Sequence, residues 1–135
     1  MLSDNLEKIE RFASKIWRQQ NKADPISQLS FNEYDYLKVI QAAKDPIRLT
    51  DLSDKMEVTK PSATNMVKRL ERKGLAMRLN CPEDARSKRV VLTEKARLGL
   101  EDESSVYKAM AEKLEGNLSS QQVEQLNILL NLALK

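Results

Sequence analysis

From Thr59 to Arg72 the polar side chains run in a telling order: hydroxyls and a carboxamide lead, in Thr59, Ser62, Thr64 and Asn65, and cations follow, in Lys68, Arg69 and Arg72. Lys60 and Pro61 stand at the head of the same run. Small hydroxyls and amides are the groups that bond base edges, whereas Lys and Arg meet phosphate oxygens, so the order suits a helix that enters a DNA major groove by its first turns. A helix N-terminus adds its own attraction for phosphate. The competing reading is an ordinary solvated face. A second cluster, Asp84, Arg86, Lys88 and Arg89, crowds around a turn further on. A cationic hairpin tip can follow a narrow minor groove, where negative potential is concentrated; the competing reading is a surface ion pair of at most about 1 kcal/mol.

These groups need elements to hold them. Ala63, Met66, Val67 and Leu70 recur at i, i+3, i+4 and i+7, which predicts a helix from Thr59 to the stop at Gly74 with Pro61, Ser62, Asn65, Lys68, Arg69 and Arg72 on its far face and Thr64 at the margin. Thr59 is its expected N-cap, and Pro61 fits the first turn, where an amide hydrogen has no helical partner. A short helix from Thr50 to about Met56 precedes it, with Leu49, Leu52 and Met56 inward and Val58 plugging the turn between the two. Alternation over Leu75–Cys81 and Lys88–Leu92 predicts two strands around a loop at 82–87. Ile47, Arg48 and Leu49 could add a very short third strand. Two helices across a tight turn beside a basic hairpin make a winged helix-turn-helix.

Longer helices flank this part. The first is expected from about Ser3 to about Lys22, where Leu2, Leu6, Ile9, Ala13 and Ile16 form a narrow seam widened by Phe12 and Trp17, and Asp24-Pro25 ends it. Ser30 and Glu33 read as a capping box for the second, with Phe31, Tyr34, Leu37, Ile40 and Ala43 inward up to Lys44. Thr93 opens a fifth helix to about Glu115, carrying Ala96, Leu100, Val106, Tyr107, Met110 and Leu114, and Gly116-Asn117 ends it. Ser119 and Gln122 box a sixth helix bearing Val123, Leu126, Leu129, Leu130 and Ala133. The fold class expected is mainly α with a small β-hairpin wing: a winged helix-turn-helix flanked by long N- and C-terminal dimerisation helices. Residues 1–135 form one domain, with 30–92 as the winged part and 1–22 and 94–135 as the dimerisation helices.

The dimer follows from apolar surface. The first, fifth and sixth helices carry more of it than a winged motif of about 60 residues can cover, and a second copy is the economical cover, giving a C2 homodimer. Two recognition helices would then meet successive major grooves about 34 Å apart on a pseudo-palindromic site.

Composition narrows the function. The 135 residues are 41% apolar and 32% charged, with 3 Gly and 4 Pro. Net charge is +3, but residues 44–97 hold 14 Lys and Arg against 8 Asp and Glu. That imbalance draws the segment toward polyphosphate. Histidine is absent and Cys81 is the single cysteine. Without imidazole there is no partner for a Ser or Cys nucleophile and no common transition-metal ligand, so no enzyme, metal site or cofactor is expected. No apolar run approaches the roughly 20 residues of a membrane span, and the first residues lack the pattern of a signal peptide, so the chain is expected to be cytoplasmic.

A helix ending in Leu70-Glu71-Arg72-Lys73-Gly74-Leu75, then Asp84-x-Arg86, then Val91-Leu92-Thr93, resembles the MarR family of bacterial transcription regulators, and the flanking helices extend the likeness over nearly the whole chain. The resemblance implies a sequence-specific double-stranded DNA-binding regulator, a repressor acting as a homodimer, with Arg86 inserted in the minor groove and Asp84 bracing its guanidinium. It implies a cleft for a small aromatic or phenolic anion as well, where Phe12, Trp17, Phe31, Tyr34 and Tyr36 either line the site or serve as plain core. Some relatives sense oxidants through cysteine; Cys81 lacks the N-terminal position of the peroxide-responsive type and reads better as structural or incidental. The other function class left open is a winged helix used only for protein interaction, without specific DNA binding.

Overall fold

A computed structural model describes residues 1–20, 29–80, 83 and 88–135. Along the chain these form α1 (Leu2–Gln19), α2 (Phe31–Ala42), β1 (Ile47–Arg48), α3 (Leu49–Met56), α4 (Lys60–Arg72), β2 (Ala76–Asn80), β3 (Lys88–Leu92), α5 (Glu94–Glu115) and α6 (Ser120–Ala133). The end expected for the first helix near Lys22, and the Asp24-Pro25 break after it, lie outside the described residues. The architecture is mainly helical with a small antiparallel wing sheet in the order β1-β3-β2. Contacts divide the chain into two compact units, residues 22–101 and residues 1–21 with 102–135.

In the first unit α2, α3 and α4 pack with the sheet around one core. Leu37, Leu52, Val67, Leu70 and Val90 are fully buried at its centre. The short strand expected at Ile47 is present, with Ile47 opposite Val90 and Arg48 opposite Arg89. On the other side of β3, Ala76 lies opposite Leu92 and Asn80 opposite Lys88. Because side chains alternate along a strand, Ile47, Ala76, Val90 and Leu92 share the buried face. Arg48, Met77, Leu79, Arg89 and Val91 share the other.

Three local expectations are corrected. Phe31 is not inward: it is 93% exposed, and the buried residues of α2 are Glu33, Tyr36, Leu37 and Ile40. This is still an i, i+3, i+4, i+7 stripe, but a carboxylate stands at its head, and Phe31 falls about 200° away around the helix from that position. Val58 is 38% exposed and does not plug the turn. The turn is held instead by backbone, the Val58 amide donating to the Ser53 carbonyl (3.0 Å), with Glu57 in the left-handed region at φ 56°. Third, α3 begins at Leu49 after Arg48 as N-cap, not at Thr50. The Thr50 carbonyl instead accepts the hydroxyl of the buried Ser53 (2.8 Å).

In the second unit Ile16 and Val106 are buried and Trp17 meets Tyr107 edge-on, ring centroids 5.6 Å apart. Leu2, Leu6 and Ile9 of α1 are exposed, as are Leu126, Ile128, Leu129, Leu130 and Leu132 of α6, a helix with no buried residue. The capping box expected at α6 is formed: the Gln122 amide donates to Ser119 Oγ (3.2 Å) and the Ser119 amide to Gln122 Oε1 (2.9 Å).

Candidate nucleic-acid interface

The start of α4 is built by its cap. The Ser62 amide donates to Thr59 Oγ1 (3.3 Å), and that hydroxyl donates in turn to Ser62 Oγ (2.9 Å). Pro61 occupies the first turn. Ala63, Met66, Val67 and Leu70 are buried, so the helix has one rotational setting. That setting leaves Thr59, Lys60, Pro61, Ser62, Asn65, Lys68, Arg69 and Arg72 exposed and Thr64 half-buried. Among the described residues Lys60, Lys68, Arg69 and Arg72 enter no ion pair, so four cations stand along one face without a protein anion beside them.

The C-terminal end of α4 is anchored from two directions. Lys73 Nζ lies 2.5 Å from Glu33 Oε2, and the Glu33 side chain is only 7% exposed. Burial alone pushes a carboxyl upward, but bonds from the Lys73 ammonium and from the Ser30 amide and hydroxyl outweigh it and hold Glu33 below its ordinary value. From the other direction Thr93 Oγ1 donates to the Gly74 carbonyl (2.8 Å) and Lys95 Nζ to the Lys73 carbonyl (3.3 Å). Gly74 itself takes φ +74°, a left-handed setting natural to glycine after a helix. Glu71 also reaches the sheet, pairing with Arg78 Nε at 2.9 Å.

In the wing, Lys88 is half-buried at the start of β3 and its ammonium donates to Asn80 Oδ1 across the hairpin. Arg48 pairs with Glu83 at 2.9 Å, tying β1 to the wing loop. Asp84, Arg86 and Cys81 lie outside the described residues. Of the five aromatic residues considered for a ligand cleft, Tyr36 is core, where burial raises its phenol pKa; Phe31 is exposed, and Trp17 is engaged with Tyr107. Sequence reasoning missed the Glu33–Lys73 bridge. Its only signal was the capping-box glutamate, since nothing local points to a partner forty positions away.

The MarR family model matches residues 29–88, from the residue before the α2 cap to the first residue of β3. This match places a MarR-type winged segment within the chain. The MarR fold extends beyond the matched segment. S. aureus MepR in complex with DNA is similar at TM-score 0.72 and 22% identity over 99% of this chain and 95% of that one. Streptococcus pneumoniae FabT in complex with DNA is similar at TM-score 0.76 and 25% identity, over 98% and 92%. A MarR-like regulator from Thermotoga maritima is similar at TM-score 0.78 and 22% identity, over 98% and 91%. No helix among the described residues is long and apolar enough to cross a membrane.

Proposed function

We propose that the chain acts in the cytoplasm as a homodimeric repressor on a pseudo-palindromic operator. The observation that carries this reading is the face of α4. Ser62 and Asn65 are presented in the first turns, Lys68, Arg69 and Arg72 follow, and the opposite side is locked into the core. In the major groove, Ser62, Thr64 and Asn65 read base edges while Thr59, Lys60, Lys68, Arg69 and Arg72 hold phosphates, with Pro61 setting the close approach of the first turn. The wing then meets the adjacent backbone or minor groove through Arg86, braced by Asp84, and through Lys88.

The dimer is supported by exposed apolar side chains on both terminal helices, Leu2, Leu6 and Ile9 on α1 and Leu126 to Leu132 on α6. Such a surface on a polar-rimmed unit marks an interface. It joins two copies through α1, α5 and α6. A small aromatic ligand releases the dimer from DNA; the MepR relative has also been solved bound to ethidium bromide, which supports this class of effector. The deciding experiment is an electrophoretic shift with the DNA upstream of the chain's own gene. A retarded band that survives excess unrelated duplex is expected, and equal competition by any duplex overturns sequence-specific regulation.

A further inference from the structure

Among its cations α4 carries a single carboxylate, Glu71. Three positions beyond Lys68, it lies about 60° around the helix from that lysine, at the margin of the exposed face, and side chains at i and i+3 are within reach of one another. A Lys68–Glu71 pair along the helix surface is the arrangement to expect. It is not the one formed: Glu71 Oε1 lies 2.9 Å from Arg78 Nε, and Lys68 enters no ion pair among the described residues. The sheet places Arg78 for this. Arg78 stands opposite Val90 in the β2–β3 ladder, so alternation puts it on the same face as Ala76 and Val90, which belong to the core that α4 helps to form. The Arg78 and Glu71 side chains are only 32% and 28% exposed, and salt screens such a pair less than one in open water.

We propose that Arg78 is a positioning residue for the cationic face of α4: by holding Glu71 against β2 it keeps that carboxylate off Lys68 and leaves the ammonium to a DNA phosphate. The inference rests on the reading of α4 as the DNA-binding face. A lysine that reaches a phosphate releases condensed counterions from the duplex. One already paired with a carboxylate brings no net charge to the phosphate, and that release is lost. Arg78 therefore acts on DNA through Glu71 and Lys68, without touching the duplex itself.

The test measures the affinity of the full chain for a short mixed-sequence duplex by fluorescence anisotropy over a range of salt concentrations, which needs no operator. Arg78→Gln should weaken binding several-fold and flatten the slope of log K against log salt by about 1 for each α4 engaged. Adding Glu71→Gln should restore the wild-type slope, although this double variant also lacks the tie between α4 and β2. In a Lys68→Ala background Arg78→Gln should change the slope no further, whereas a direct phosphate contact by Arg78, or a general loss of positive charge, would flatten it again by the same amount. Circular dichroism checks each fold. If Arg78→Gln unfolds, Arg78→Met, which keeps the apolar stem, takes its place; failure of both to fold makes the pair a stability element and overturns the proposal. An unchanged slope in Arg78→Gln, a double variant no better than the single one, or an undiminished effect in Lys68→Ala overturns it too, while leaving the DNA reading of α4 intact. A wild-type slope that is already shallow refutes that reading, and the proposal with it.

Discussion

The Glu33 carboxylate and the Lys73 ammonium, forty residues apart in sequence, meet at 2.5 Å and join the first turn of α2 to the end of α4. The pair is lopsided in exposure, the glutamate being buried and the lysine 43% exposed. Removing the lysine leaves a buried carboxylate with only the Ser30 groups to satisfy it. Lys73→Met should therefore cost about 1–3 kcal/mol, read as a lowered urea midpoint at unchanged slope.

The same pair gives a signed acid response. Glu33 is held below its ordinary value of 4.5, so in the folded chain it binds its proton less readily than in the unfolded one. Its stabilisation is complete above pH 4.5 or so and is lost as pH falls through the lower folded value. Glu33→Gln should be less stable than wild type at pH 7, and the gap should narrow on acidification. A gap that stays constant from pH 7 to pH 3 would show that the carboxylate charge contributes nothing.

Positioning and reading should separate along α4. Asn65→Ala and Ser62→Ala should relax preference at particular operator base pairs, by roughly 1–3 kcal/mol for a lost bidentate contact and less for a single one. Lys68→Ala should weaken all sequences alike, whereas Arg86→Ala should weaken A·T-rich flanks most. Binding to a randomised operator library is the measurement, and unchanged preference in Asn65→Ala and Ser62→Ala alongside altered preference in Lys68→Ala would reverse the assignment.

Affinity should also be steeply salt-dependent. If a dimer neutralises on the order of 8 phosphates, log K against log salt should fall with a slope of about −7. A slope near about −2 would place the binding surface elsewhere.

For the dimer, sedimentation at micromolar concentration should give twice the chain mass. Deleting residues 1–20, which carry the exposed Leu2, Leu6 and Ile9, should give an unstable or aggregating protein. A full-length monomer would remove the two-site operator from the mechanism.

Periodicity found the parts of the fold that obey it. The buried stripe of α4, the β2–β3 hairpin, the short strand at Ile47 and the caps at Thr59, Thr93 and Ser119 were all legible, because each depends on residues within a few positions of one another. The setting of α2 was not, since its stripe includes Glu33, and a carboxylate is welcome in a core only when a distant partner such as Lys73 arrives. The turn at Glu57 was hidden for a related reason: its left-handed residue is not a glycine, so no residue type announced it. On the candidate site, the exposed face of α4 followed from its apolar face, while the anchoring of that helix at Lys73 and Gly74 belongs to tertiary contacts that no local pattern encodes.

Thr93 Oγ1 accepts from the Ala96 amide (3.2 Å) while donating to the Gly74 carbonyl (2.8 Å). One hydroxyl thus closes the beginning of α5 and the end of α4 together. Fraying at either terminus withdraws support from the other, so the two should open as a single cooperative unit. The amides of the last turn of α4 and the first turn of α5 would then exchange with solvent deuterium at matched rates, and Thr93→Val would accelerate both. α4 would therefore loosen from its C-terminal end whenever α5 unwinds by its first turn.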